Sequence, residues 1–189
     1  MARSGAQTRQ RIVDAAYGLF WRQGFVRASL DDIAEAASIT KRTLYQHFRS
    51  KDDLMAAVLE YSSGLAMERL QRIAERTPDG LEAMIDSLFA QLSEWAATPR
   101  WQGTGFTRVV AELADLPGHT ARVIARQHKA MVESWLAGLL AKEHVPLPLH
   151  RARELALLME GAMSLMLIHG DRSYAEAAAR AAKQLVQLR

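Results

Sequence analysis

The sequence contains no cysteine. This absence excludes disulfide bonds, thiolate-ligated zinc and thiol catalysis, and it is typical of proteins in a reducing compartment. The first ten residues are polar and lack the apolar core of a secretory signal, and no run of about eighteen apolar residues is present for a membrane-spanning helix. We therefore expect a cytoplasmic protein.

Proline and glycine are also scarce where a linker would need them. All five prolines lie beyond residue 77, and no segment rich in proline and glycine divides the chain. Hydrophobic residues make up 49% of the 189 residues and recur with helical spacing, which is enough to bury a sizeable core. We predict an all-α fold of about nine helices, with a three-helix domain at residues 1–55 and a helical domain at residues 56–189.

Catalytic and phosphate-binding motifs are missing as well. The sequence has no His-Glu-x-x-His, no Gly-x-Ser-x-Gly, no Walker loop and no Gly-x-Gly-x-x-Gly. The six histidines are scattered, and no two of them lie three or four residues apart. We therefore expect no catalytic residues, no cofactor and no metal, although a small-molecule enzyme built on a helical scaffold stays open as an alternative.

Positive charge is concentrated at the N-terminal end. Through residue 55 the chain has nine Lys and Arg against six Asp and Glu, whereas the rest has fifteen of each. The formal net charge of +3 is therefore carried by the first domain. This asymmetry is expected of a nucleic-acid-binding module attached to a neutral one.

The stretch from Ser29 to Asp53 predicts two short helices joined by a tight turn. Ser29 and Thr40 are suitable N-caps, because a hydroxyl can accept from an exposed amide in the first turn of a helix. The second helix carries Leu44 and Phe48 on one face and hydrogen-bond donors without a carboxylate on the other. A helix-turn-helix needs such a face to reach phosphates and base edges, although a solvated helical hairpin would show the same pattern.

The residues of this stretch resemble the DNA-binding signature of the tetracycline-repressor (TetR) family of bacterial regulators. The run from Ile33 to Leu54 reads I-A-x-x-A-x-I-T-K-x-T-L-Y-x-H-F-x-S-K-D-D-L. The resemblance extends back through the preceding helix and covers only the N-terminal part of the chain. One departure is Ser38, which stands where the family usually has a turn glycine.

The resemblance implies a double-stranded DNA operator as partner. It also implies roles for residues of the predicted three-helix domain at residues 1–55, which we call the head. Residues 41–47 would lie in the major groove, with Thr43, Gln46 and His47 near base edges. The phosphate backbone would be positioned by Thr40, Tyr45, Lys51, Ser29 and Arg27. The complete set of predicted DNA-binding residues is Arg27, Ser29, Thr40, Lys41, Arg42, Thr43, Tyr45, Gln46, His47 and Lys51.

The second domain is rich in Trp, Phe and Met side chains. Each of them alone is best explained as core, and His128 on an apolar stripe is best explained as a hydrogen-bonded core histidine. Together they could line a site for a small apolar effector, and the resembled family places its effector pocket in this region. The candidates are Met84, Phe89, Trp95, Trp101, Phe106, His128, Met131 and Trp135.

The predicted eighth helix, about residues 149–169, is apolar on nearly all sides. Only Glu160 and Ser164 are strongly polar between Leu155 and Ile168. Burial against the domain on one side and a second subunit on the other would explain this pattern, and a central helix of a monomer is the alternative. The candidate dimer-interface residues on the last two helices are Leu155, Leu158, Met159, Ala162, Met166, Ala178, Ala181 and Leu185.

These features together predict a ligand-responsive homodimeric repressor that binds a palindromic operator. A long helix from about residue 51, stopped at the turn Thr77-Pro78-Asp79-Gly80, would join the head to the second domain. Two heads on a two-fold axis would fit half-sites about 34–36 Å apart. The alternatives are a helical ligand-binding or scaffold protein with a non-functional head, and a transcriptional activator.

Overall fold

The computed structural model describes residues 2–77, 80–99 and 101–187, with side chains from residue 5 onwards. These ranges contain nine α-helices and no strand, which confirms the predicted all-α class. Pro78 and Asp79 of the predicted turn lie outside the described residues. The helices are α1 Ala2–Gln23, α2 Leu30–Ala36, α3 Lys41–His47, α4 Lys51–Arg76, α5 Leu81–Ala96, α6 Gly105–Glu112, α7 Thr120–Lys142, α8 Pro148–His169 and α9 Ser173–Gln187.

Within the described ranges, none of these helices combines the length and the apolar character needed to cross a bilayer. The helix α4 runs without interruption through Gly64. The helix α8 starts with Pro148 as its first residue, where a missing N–H costs nothing, and it ends at Gly170 in the left-handed conformation.

The chain divides into two compact units. The first contains residues 1–64 and 104–126, and the second contains residues 65–103 and 127–189. The first unit therefore extends beyond the predicted boundary near residue 55 and includes α6 and the start of α7. The assignment of functions to residues 1–55 and 56–189 stays a prediction.

The core of the first unit joins α6 to the helices of the N-terminal head. Phe20, Phe25 and Leu44 are fully buried in it, and Phe106 and Val109 of α6 belong to the same cluster. The apolar face of α6 thus completes the core of the three-helix head. This packing brings polar side chains of α6 to the turn between α1 and α2.

The core of the second unit is built mainly by α5, α8 and α9. Ile85, Phe89, Leu136 and Ala182 are among its buried members. Its rim carries an ion pair between Lys183 Nζ and Asp86, with a shortest distance of 2.8 Å. A separate small cluster contains Met163, Met166 and Ala175, with Trp95, Trp101 and Tyr174 packed against it.

Candidate DNA-binding site

The hairpin of α2 and α3 is held by local hydrogen bonds that its sequence specifies. Both helices begin with a hydroxyl cap: Ser29 Oγ accepts from Asp32 N at 3.0 Å, and Thr40 Oγ1 accepts from Thr43 N at 3.1 Å. A third cap, on α4, joins Ser50 Oγ to Asp53 N at 3.0 Å. The predicted helix starts are therefore confirmed.

The turn between α2 and α3 closes as a Schellman motif around Ser38. The Ser38 backbone lies in the left-handed region with φ of 52°. Ser38 N donates to Glu35 O at 2.9 Å, and Ile39 N donates to Ala34 O at 3.0 Å. The serine that departs from the family pattern thus adopts the conformation that favours glycine.

The helix α3 buries one face and presents the other to solvent. Leu44 and Phe48 are 0% and 3% exposed and anchor the helix in the core of the head. The opposite face exposes Lys41, Arg42, Tyr45 and Gln46, while Thr43 and His47 are half-buried. This face combines cationic and hydrogen-bonding groups and carries no carboxylate, so it can contact phosphates and base edges.

Several of the predicted contact residues already have hydrogen-bond partners on the protein. Lys41 Nζ donates to Asp31 Oδ2 at 2.9 Å, and this carboxylate raises the pKa of Lys41. The hydroxyls of Thr40 and Thr43 lie 2.9 Å apart. A phosphate would compete with Asp31 for Lys41, and a base edge would share Thr43 with the helix cap.

The predicted phosphate contacts outside α3 lie at the turn before α2 and at the start of α4. Arg27 is exposed, and Ser29 and Lys51 are half-buried. Lys51 Nζ donates to the Val26 carbonyl at 2.6 Å, and burial lowers the pKa of Lys51. The Arg9 guanidinium lies 4.9 Å from the centre of the Phe48 ring and adds a further cation at this surface.

Sequence reasoning missed the Lys41–Asp31 pair and the contact between Arg9 and Phe48. The first joins residues ten apart across the turn, and the second joins α1 to the end of α3. Neither contact follows from the periodicity of one helix. The hairpin itself, once predicted, was the signal from which a contact between Asp31 and Lys41 could have been found.

The predicted ligand residues are distributed over both units. Phe106 belongs to the core of the first unit, whereas Met84 and Phe89 are buried in the main core of the second. The rings of Trp95 and Trp101 meet edge to face with centroids 5.9 Å apart. Met131 is 45% exposed.

Two polar side-chain groups of the second unit are buried. The indole N–H of Trp101 is buried without a hydrogen-bond partner among the described residues. His128 is 5% exposed, and burial, reinforced by the neighbouring Lys129, lowers its pKa to about 4. Its imidazole is therefore neutral near pH 7. The described residues contain no group of three or more His, Cys, Asp or Glu that could hold a metal.

The predicted dimer residues are mostly buried within one chain. Less than a tenth of the surface of Leu155, Met159, Ala162, Met166 and Ala178 is exposed. Leu158, Ala181 and Leu185 are half-buried. Their role in a dimer stays a prediction, because the chain alone already covers most of them.

Another face of α8, which the sequence reasoning missed, is exposed and apolar. Leu157, Leu165 and Ile168 are 73%, 37% and 70% exposed. Gly161 and Ser164 lie between them on the same side and are also exposed. Their spacing of three and four residues was the available signal, but a helix apolar on all sides does not reveal which side is core.

Comparisons with known proteins relate the N-terminal head to bacterial regulatory proteins. The family model described as "Bacterial regulatory proteins, tetR family" matches residues 12–58. The HTH-type transcriptional regulator AcrR of Shigella flexneri is 28% identical over 165 residues, which are 84% of this chain and 75% of that protein. The regulator SrpR of Pseudomonas putida is 45% identical over 58 residues, which are 31% of this chain and 27% of that protein.

Solved structures extend the similarity to nearly the whole chain. SCO4454, a TetR-family regulator from Streptomyces coelicolor, superposes with a TM-score of 0.86 at 22% identity and covers 96% of this chain and 95% of its own. A putative TetR regulator from Streptomyces avermitilis gives 0.76 at 28% identity, with coverages of 93% and 98%. The relatives are regulators and not enzymes, which confirms the prediction of a non-enzymatic protein. The matched head and the full-length fold show that this chain is similar to DNA-binding transcriptional regulators of the TetR family.

Proposed function

We propose that this regulator is a cytoplasmic homodimeric repressor that binds a palindromic operator. The observation that carries this proposal is the outward face of α3, where Lys41, Arg42, Tyr45 and Gln46 are exposed and no carboxylate is present. An α-helix fits the major groove, where base edges offer distinct patterns of donors and acceptors. Gln46, with the half-buried Thr43 and His47, would read bases, while Arg42 and Tyr45 are well placed for phosphates.

Anchoring to the DNA backbone would come from groups that flank α3. Arg27, Ser29 and Thr40 lie at the starts of α2 and α3, and Lys51 lies at the start of α4. Phosphate contacts fix the register of a reading helix on the duplex without specifying sequence. The proposed division of labour therefore separates orientation from base recognition.

Dimerisation is proposed through the exposed face of α8 defined by Leu157, Gly161, Ser164, Leu165 and Ile168. Large apolar side chains on one solvent-facing stripe are costly to leave in water, and the small residues between them allow a second helix to approach. A two-fold axis would pair this stripe with its own copy. A palindromic operator then matches the symmetry of the dimer.

A small apolar effector is proposed to bind in the second unit near Trp95 and Trp101. The buried indole N–H of Trp101 could donate to a polar atom of the effector, and Met163 and Met166 supply adaptable apolar contacts nearby. Effector and operator would oppose each other if the effector favours a conformation with lower DNA affinity. By linkage, each ligand then weakens the binding of the other to the same degree.

The test of the DNA-binding claim is selection of duplexes from a random pool, followed by fluorescence anisotropy with the selected site. Arg42→Ala and Tyr45→Ala should each weaken specific binding by about tenfold or more, equivalent to about 1.4 kcal/mol. Arg42→Ala should also reduce the salt slope by about one, because one phosphate contact is lost.

Arg69→Ala is the matched control, because it removes the same charge as Arg42→Ala. Arg69 is exposed on α4 in the second unit. It should leave the selected-site affinity within about twofold of the unaltered protein. If the selected palindromic site binds no better than random DNA at moderate salt, sequence-specific repression is wrong and the scaffold alternative is favoured.

A further inference from the structure

An ion pair on α6 binds both the last turn of α1 and the turn that follows it. Glu112 Oε2 accepts from the Val26 backbone N–H at 2.9 Å, and Arg108 Nη1 donates to the Trp21 carbonyl at 2.9 Å. Arg108 Nε and Glu112 Oε1 are joined at 2.7 Å, with only about a quarter of each side chain exposed. All these residues belong to the first unit.

The fit of this pair to the turn leaves no room for a side chain at Gly24. Gly24 has φ of +103°, and a Cβ built there would lie 2.8 Å from Glu112 Oε1 and 2.9 Å from Arg108 Nη2. The charged groups therefore lie directly against the backbone of the turn. A charge-assisted hydrogen bond to a backbone N–H is among the stronger kinds of hydrogen bond, so the turn is held in one position.

We call the Arg108–Glu112 ion pair the anchor. Val26 connects this anchor to the proposed DNA-binding surface. Its N–H is bound by Glu112, and its carbonyl accepts from Lys51 Nζ at 2.6 Å. An ammonium has three donors, so Lys51 can bind Val26 and a phosphate oxygen together. Arg27 is the next residue, and Ser29 caps α2 two residues later. Three of the proposed phosphate contacts thus depend on where Val26 lies.

We propose that Arg108 and Glu112 are positioning residues for operator binding, which fix the Val26 turn and thereby orient Lys51, Arg27 and Ser29 toward the phosphates. In this proposal neither residue itself contacts DNA. The inference rests on the proposed DNA-binding function. It adds that residues about 60 positions beyond the head's last predicted phosphate contact, Lys51, determine how well the head binds.

The direction in which Glu112→Ala changes the affinity for DNA distinguishes a positioning role from a purely electrostatic one. Glu112→Ala removes a negative charge, and charge alone would then strengthen binding to DNA. If Glu112 instead holds the Val26 turn in position, its removal should weaken binding to DNA. We expect Glu112→Ala to weaken binding to a selected palindromic duplex by about tenfold, measured by fluorescence anisotropy at fixed salt. Glu112→Gln keeps an oxygen for Val26 and should recover part of this loss.

A double-mutant cycle with Lys51 tests the connection through Val26. Lys51→Ala should reduce the salt slope by about one in the unaltered protein and by much less in the Glu112→Ala background. A role of Glu112 in stability alone would leave the effect of Lys51→Ala unchanged in both backgrounds. Circular dichroism and urea unfolding establish that each variant is folded, and Glu112→Gln carries the same cycle if Glu112→Ala unfolds.

Glu68→Ala is the matched control, because Glu68 also pairs with an arginine four residues away on a helix, Arg72 at 3.5 Å, but lies in the second unit. It should not weaken binding. If Glu112→Ala binds the selected duplex as tightly as or more tightly than the unaltered protein, or if the Lys51 effect is the same in both backgrounds, the positioning role is wrong. Failure of the unaltered protein to select any duplex would instead overturn the proposed function.

Discussion

Ser38 lies in the left-handed region of backbone conformation, with φ of 52°, at an exposed position of the turn between α2 and α3. For a residue with a Cβ, this conformation costs about 1–2 kcal/mol of free energy. For glycine the main cost is instead the greater conformational entropy of its unfolded chain. Ser38→Gly should therefore raise the free energy of unfolding, by about 0.5 kcal/mol after both effects. Urea unfolding monitored by circular dichroism measures this difference.

Ser38→Ala is the control for the loss of the hydroxyl. Alanine keeps the Cβ and its strain, so the free energy of unfolding should stay within about 0.5 kcal/mol of the unaltered protein. Equal effects of the glycine and alanine variants would show that the left-handed backbone is not the source of the gain.

Residue-level features were predictable where the contact is local in sequence. The Ser29 and Thr40 caps join residues three apart, so residue type and spacing suffice to place them. The anchor on α6 was not predictable in this way. Its bonds to Trp21 and Val26 span 87 and 86 residues, and no local pattern encodes which backbone group a distant charged side chain will meet.

The buried His128 makes the stability of the protein depend on pH. Its pKa is about 4 in the folded state, mainly because burial penalises the imidazolium, against 6.5 for an ordinary histidine. The unfolded chain therefore binds a proton first as pH falls. The free energy of unfolding should decrease from pH 6.5 toward pH 4, by about 3 kcal/mol from this group, and should be unaffected by it above pH 7.

The measurement is urea unfolding at several pH values between 4 and 7.5 for His128→Gln and for His150→Gln. His150 is exposed, so its variant should follow the pH dependence of the unaltered protein. The His128 variant should lose less stability on acidification. An identical decline in all three proteins would assign the effect to other groups.

At the scale of single elements, α6 depends on the absence of a side chain at its first residue. A Cβ at Gly105 would lie 2.1 Å from Cζ2 of Trp21. The Trp21 ring cannot easily move away, because it stacks on Tyr17 with centroids 4.4 Å apart and lies 5.3 Å from the Phe25 ring. Gly105→Ala should therefore destabilise the first unit by about 1–3 kcal/mol through overpacking.

Gly64→Ala is the matched control for this change. Gly64 also lies within a helix, but a Cβ there meets nothing within 4 Å. Alanine should stabilise α4 by about 0.5–1 kcal/mol, because it has the higher helix propensity. The two variants should therefore shift the urea midpoint in opposite directions, and a stabilising Gly105→Ala would contradict the close packing of Trp21.

The order and approximate limits of the elements were predictable from periodicity, but their packing partners were not. The sequence places Phe106 in the second predicted domain, residues 56–189, as a ligand contact. In the structure Phe106 is buried with Phe20 and Leu44 in the first unit. Hydrophobic spacing identifies the buried face of a helix, but it does not say against which other helix that face packs.

At the scale of the whole molecule, the exposed stripe on α8 separates two explanations of an apolar helix. The sequence shows that α8 is apolar on nearly all sides, but not which side faces the chain's own core. The structure buries Leu155 and Met159 and exposes Leu157 and Ile168. A central helix of a monomer would expose none of them, so the exposed pair supports the proposed dimer.

Leu157→Glu should dissociate the proposed dimer. Leu157 is 73% exposed in one chain, and a two-fold contact would bury both copies of a carboxylate without partners. We expect the dimer dissociation constant, measured by sedimentation velocity over a concentration series, to rise by about a hundredfold, equivalent to about 2.7 kcal/mol. Leu116→Glu is the control, because Leu116 is 49% exposed in the first unit, outside α8.

Since two heads bind a palindrome together, Leu157→Glu should weaken binding to the full operator far more than to an isolated half-site. A variant that sediments like the unaltered protein would place the subunit contact elsewhere.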